Sequence, residues 1–185
     1  RKSGEPYIVH PLAVAQILVD LKMDSACLCA ALLHDTIEDT SIELDTIRNE
    51  LGREIAAMVD ALTKIKTTAL AEKIQKDQER ADTMRKIVLG MAKNVRVIIV
   101  KLADRWNNVR TLQFMSLEKR KQIARETMAI YAPIADRLGL SLIRRDLEDQ
   151  SFSHLDPKNY QIHQRRLATS KIFLENDIND LKKQA

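Results

Sequence analysis

The sequence predicts an all-α fold, on three observations. Glycine and proline number only 4 each in 185 residues, too few for the turns of a strand-rich sandwich or for a glycine-cradled nucleotide fold. Hydrophobic residues make up 45% and charged residues 30% of the chain, the balance of a soluble domain with a real core rather than of a disordered segment. The apolar residues recur at three- and four-residue spacing through most of the chain.

Taken in order, Pro11 after His10 reads as a first helical turn, with Leu12, Ala15, Ile17, Leu18 and Leu21 on one apolar face. Asp24 reads as the N-cap of a second helix from about Ser25 to Glu38, in which Cys27, Ala30, Ala31 and Leu33 are expected to be buried. Thr40 followed by Glu43 has the pattern of a capping box, and Gly52 that of a stop, enclosing a short amphipathic helix. Another helix is expected from about Glu54 to Leu62. Residues 64–80 are polar with weak periodicity, which predicts a loop or a frayed helix, and a helix is expected from Asp82 to about Ala92. The β-branched run Val95, Val97, Ile98, Ile99, Val100 suggests a strand on propensity. Helical spacing of Val95, Ile98, Ile99 and Leu102 overrules it, because one strand in a helical chain has no partner. Ser116 is expected to cap a long helix through Ile123, Met128, Tyr131, Ile134 and Leu138, with a kink at Pro133 and an end at Gly139. Asp156 and Pro157 then start a C-terminal helix to about Leu181.

Composition excludes several functions. No window approaches the 18 or so apolar residues of a membrane span, and the start RKSGEPY lacks the apolar stretch of a secretion signal. A cytoplasmic location is expected, with no membrane partner. Cys27 and Cys29 do not have a redox or zinc spacing and read as small core residues. Residues 1–60 carry 5 basic and 11 acidic side chains, against 30 and 26 in the whole chain, so the first third is acidic and the remainder basic. With aromatics at 4% and no basic run interleaved with them, nucleic acid is not the expected partner; a phosphorylated small ligand fits the basic part.

The segment HDTIED concentrates ligand-type groups. If the second helix continues through it, His34 and Glu38 stack along one side, as do Asp35 and Asp39. A helix that otherwise reads CLCAALL does not bury such charges without compensation, and a divalent cation is the natural one. Taken alone, the dipeptide His34–Asp35 reads first as the exposed end of a helix, His10 as an N-cap or a hydrogen-bonded core residue, and Asp104 as a partner for Arg105. Taken together, two imidazoles and two carboxylates make a mixed N/O set suited to Mn²⁺ or Fe²⁺, with Zn²⁺ and Mg²⁺ also open.

The order His10, His34–Asp35, Asp104 resembles the H…HD…D signature of the HD-domain metal-dependent phosphohydrolases. The longer words RKSGEPYIVHPL, AALLHDTIEDT, KLADRWNNVRTL and YAPIADRLGL resemble the hydrolase domain of the RelA/SpoT homologues, the enzymes of (p)ppGpp alarmone metabolism in the stringent response. The resemblance implies an all-helical HD fold holding one Mn²⁺ through His10, His34, Asp35 and Asp104. It implies hydrolysis of the 3′-diphosphate of ppGpp or pppGpp to pyrophosphate and GDP or GTP. Glu38 and Asp39 stand in the family's catalytic acidic pair, Arg1, Lys2 and Ser3 at the guanine end of the pocket, and Asn108 and Thr111 in the segment lining the nucleotide. Two departures are visible: Asn107 where a His is usual before the conserved Asn, and Asp136 where a His is common after YAPIA. The resemblance further implies a hydrolase unit over residues 1–142, beginning without its usual first helix. Residues 143–185 would connect it to a synthetase domain in a longer parent chain. Two other readings stay open: a different HD-family nucleotide phosphohydrolase, and a non-catalytic regulatory HD module.

Overall fold

The computed structural model describes residue 4, residues 6–71 and residues 94–184, of which residues 65–71 and 171–184 are described as helix only. Among the described residues every regular element is helical, as the scarcity of turn residues predicts. The elements are α1 (Val9–Asp20), α2 (Ser25–Leu33), α3 (Thr36–Asp39), α4 (Leu44–Leu51), α5 (Arg53–Ala71) and α6 (Val95–Val109). A 3₁₀ turn (Leu112–Phe114), α7 (Leu117–Glu126), a π-helical turn (Thr127–Tyr131), α8 (Ala132–Arg137), α9 (Ser141–Leu155) and α10 (Pro157–Gln184) complete the order.

The ambiguous β-branched run is α6, and burial explains why. Each Val or Ile in a helix costs up to about 0.7 kcal/mol in propensity, whereas burying its side chain contributes roughly 1.5–3 kcal/mol. α6 buries side chains on two sides at once. Val97, Val100 and Ala103 enter a core shared with α1, α2, α4 and α5. Ile98, Leu102 and Val109 enter a second core with Ile130, Ile134, Ile143 and Leu147. Leu21 and Trp106 pack against both clusters. A helix used on both sides has no solvated face on which to leave a charge, so Lys101 and Asp104 are buried with it.

Several sequence expectations are corrected. α1 starts at Val9, ahead of Pro11, so His10 lies inside the first turn rather than capping it. Its buried face is His10, Pro11, Val14, Ile17 and Leu18, while Leu12 on the other side is 53% exposed. The Thr40–Glu43 capping box does not form: Thr40 Oγ1 donates to the Thr36 carbonyl and accepts from the Ile42 amide, and the Glu43 side chain makes no cap bond. Gly52 does end α4, at φ 90°. α5 continues through residues 64–71, where a loop or frayed helix was expected. Residues 72–80 of that stretch and the helix expected over residues 82–92 lie outside the described residues.

The long helix expected after Ser116 is interrupted by the π turn, which ends at Tyr131, two residues before Pro133. Proline has no amide hydrogen for the carbonyl four residues back, and a change of helical pitch there relieves the mismatch. Gly139, at φ 71°, closes it with its amide on Asp136 and that of Leu140 on Ala135. The last helix begins as expected, with Asp156 Oδ1 accepting from the Asn159 amide at 3.1 Å.

Candidate metal centre

The site begins with a break in a helix. α2 was expected to run to Glu38, but it ends at Leu33 and a separate turn, α3, carries the acidic pair. The cause is local. His34 Nδ1 lies 2.6 Å from the Ala31 carbonyl oxygen, the acceptor that the Asp35 amide would use if the helix continued. The imidazole takes that place, and the chain turns. The i, i+4 columns of a continuous helix are therefore not formed.

The same bond fixes the ring's chemistry. A carbonyl oxygen only accepts, so His34 Nδ1 carries the proton and Nε2 is left to face inward. His34 is buried, and its Nε2 has no hydrogen-bond partner. It points at carboxylates: Asp35 Oδ2 is 3.2 Å away and Asp104 Oδ1 3.7 Å. His10, from the first turn of α1, brings its own Nε2 to 3.2 Å from Asp104 Oδ1, with the two imidazole centroids 5.2 Å apart.

Three helical elements thus converge. Ligand-type atoms of His10, His34 and Asp104 all lie within 4.8 Å of one another, and all three residues are buried. Asp35 meets the set from one side through His34, while the Tyr7 phenol donates to its Oδ2 at 2.5 Å. Burial foremost, with Asp35 and Asp39 beside it, raises the Tyr7 pKa and keeps the phenol a donor. A buried imidazole nitrogen without a partner, beside a second imidazole and a carboxylate, fits a divalent cation held by nitrogen and oxygen ligands.

The electrostatics keep Asp104 ionised. Burial would raise its pKa, but the Lys101 ammonium, with His10 and His34, holds it well below the usual carboxylate range. Lys101 Nζ donates to Asp104 Oδ2 at 2.8 Å and Asn108 Nδ2 to Oδ1 at 2.6 Å. Burial would lower the Lys101 pKa, and the facing carboxylate raises it on balance. For His34, burial lowers the pKa while Asp35 and Asp104 outweigh it and raise it.

The remaining sequence candidates are placed less centrally. Glu38 and Asp39 are exposed on α3, next to the ligand turn. Asn108 is turned onto Asp104, and Thr111 Oγ1 donates to the Asn108 carbonyl. Arg105, weighed as a counter-charge for a polyanion, pairs with Glu126 at 2.8 Å and lies over the Tyr131 ring at 4.1 Å. Asp136 is exposed and pairs with Arg144. Arg1, Lys2 and Ser3 lie outside the described residues. Sequence reasoning missed Tyr7, Lys101 and the partner role of Asn107, which lies 2.6 Å from His10 Nδ1. Lys101 was findable, since it stands three residues before Asp104 on a helix with no free face.

The helical fold carries a buried His–His–Asp cluster that could hold a metal ion, and the chain belongs to the HD-domain family, whose profile matches residues 1–141. It is 46% identical over 180 residues to a GTP pyrophosphokinase of Myxococcus xanthus, covering 97% of this chain and 24% of that protein. It is 48% identical over 161 residues to the guanosine-3′,5′-bis(diphosphate) 3′-pyrophosphohydrolase of Aquifex aeolicus, covering 87% of this chain and 22% of that protein. These relatives bear out the resemblance to the RelA/SpoT homologues, and the chain spans about a quarter of their length. A solved structure titled as a metazoan ortholog of SpoT that hydrolyzes ppGpp overlays at a TM-score of 0.49 and 22% identity, covering 89% of this chain and 83% of that one, a likeness of general outline only. Among the described residues no helix is long and apolar enough to cross a membrane.

Proposed function

We propose that this chain hydrolyses the 3′-diphosphate of (p)ppGpp, releasing pyrophosphate and GDP or GTP, with one Mn²⁺ held by His10, His34, Asp35 and Asp104. The observation that carries the reading is the buried, partnerless His34 Nε2 within a cluster of two imidazoles and a carboxylate. The name of the Aquifex aeolicus relative supports the substrate. When bound, such an ion supplies Lewis acidity, offsetting phosphoryl charge and making a water molecule a better acid.

The chain's own groups then have distinct tasks. His34 and His10 offer nitrogen lone pairs from rings fixed at Nδ1. Lys101 keeps Asp104 ionised and, with Asn108, orients it, and Tyr7 orients Asp35. Glu38 accepts the proton of the attacking water and returns it to the departing 3′-oxygen, with Asp39 orienting it. Arg1, Lys2 and Ser3 take the guanine end, and Asn108 and Thr111 line the nucleotide. Residues 1–142 carry this chemistry. Residues 143–185, whose Ile143 and Leu147 seal the second core, link it to a synthetase domain in a longer cytoplasmic parent protein.

The test is direct. The Mn²⁺-loaded chain incubated with ppGpp should release pyrophosphate and GDP in equal amounts, and Glu38→Gln should lose turnover while keeping its helical content. A folded, metal-loaded chain that releases no pyrophosphate contradicts the proposal. Turnover of nucleotides lacking a 3′-diphosphate in preference to ppGpp moves the reading to another HD-type nucleotide hydrolase.

A further inference from the structure

His10 and His34 present Nε2 to the same carboxylate, but their outer nitrogens are anchored differently. His34 leans on a main-chain carbonyl, which every sequence would supply. His10 leans on a side chain, Asn107, at 2.6 Å between Nδ1 and Oδ1. Asn107 stands three residues beyond Asp104 on α6, so the two lie on one face of that helix. One helix therefore supplies both a ligand and the group that aims a second ligand arriving from α1.

The consequence is a choice between two forms of one ring. With the amide oxygen toward it, His10 must carry its proton on Nδ1, and Nε2 turns a lone pair toward the cluster. If the amide presented Nδ2 instead, Nδ1 would accept and Nε2 would carry the proton. That N–H would sit 3.2 Å from Asp104 Oδ1, where it would hydrogen-bond to the carboxylate and close the site against a cation. His10 is 2% exposed, so water cannot substitute freely for the missing partner.

We propose that Asn107 is a positioning residue that selects the cation-binding tautomer of His10. The proposal rests on the metal reading of the cluster, and its consequence for the ring can be read without any metal. An orienting partner of this kind is worth roughly 10–100-fold in metal affinity.

The test uses the full chain with ¹⁵N-labelled histidine, in wild type, Asn107→Leu and Asn107→Asp, with His10→Gln to assign the His10 resonances. In the metal-free wild type, imidazole ¹⁵N shifts should show His10 protonated at Nδ1. Asn107→Leu, with similar volume and no acceptor, should move His10 toward the Nε2-protonated form and weaken Mn²⁺ and Zn²⁺ binding by about 10–100-fold in calorimetric titration. Asn107→Asp restores an acceptor at the same place and should recover both readouts. A wild-type His10 protonated at Nε2 overturns the proposal. So does Asn107→Leu with unchanged tautomer and affinity, or a folded Asn107→Asp that recovers neither. If the wild type takes up no metal, the metal reading fails, and the tautomer of His10 still decides the role of Asn107.

Discussion

Replacing Lys101 by Met removes the ammonium that faces Asp104 Oδ2 while keeping most of the buried stem. The ammonium is 2.8 Å from the carboxylate, with side chains 11% and 7% exposed. Breaking a buried pair of this kind costs about 3–5 kcal/mol, chiefly because the surviving charge is left without compensation. Asn108 still donates to Asp104 Oδ1, so the low end applies, about 3 kcal/mol for the metal-free chain. For a chain of this length that corresponds to a fall of roughly 6–12 °C in Tm. A bound divalent cation would supply the missing positive charge, so the same substitution should cost much less at saturating metal. Urea unfolding of both proteins, with Mn²⁺ and with chelator, measures the difference. Equal losses in the two conditions would refute the reasoning, since they would make Lys101 a space-filling residue indifferent to the charge of Asp104.

Three further outcomes follow from the same structure. Asp24 accepts from the Cys27 amide and pairs with Arg96, which lowers its pKa to about 2. A lowered folded-state value contributes stability that is present above the ordinary carboxylate range and lost as pH falls toward 2, so acid unfolding of Asp24→Ala should lack that part of the wild-type slope. At neutral pH that variant should lose about 1 kcal/mol with its helix cap. Asp146 accepts from the indole of Trp106 and from Arg110, which itself stacks on the Trp106 ring; Asp146→Ala should cost about 1–3 kcal/mol and shift the emission of the single tryptophan. Leu102→Ala, at a fully buried position in the second core, should cost about 2–5 kcal/mol in urea unfolding, and a smaller loss would mean that α6 is less closely packed than the structure shows.

Much of the fold was legible because helices announce themselves by spacing and caps. Asp24, Gly52, Gly139 and Asp156 act where the sequence places them, and the spacing of Ile98 and Leu102 outweighed β-propensity because both are buried. The break at His34 was not legible. A side-chain bond from His34 to Ala31 competes with the main chain at a point where apolar periodicity continues unchanged. The capping box failed for a related reason: Thr40 is used by the turn before it, and a short polar side chain can serve only one helix end at a time. In the site, His10, His34 and Asp104 are brought together as the motif order implies. Tyr7 and Asn107 were missed because each acts on a ligand across a fold that had first to be known, whereas Lys101, one turn before Asp104 on the same helix, could have been read.

The account stands on one cation shared by residues from α1, the end of α2 and α6. Calorimetric titration of the chelator-treated chain with Mn²⁺ tests it most directly. One equivalent should bind to the wild type, and His10→Ala, His34→Ala and Asp104→Ala, each still helical, should each lose that binding. Stoichiometric binding that survives all three substitutions would contradict it.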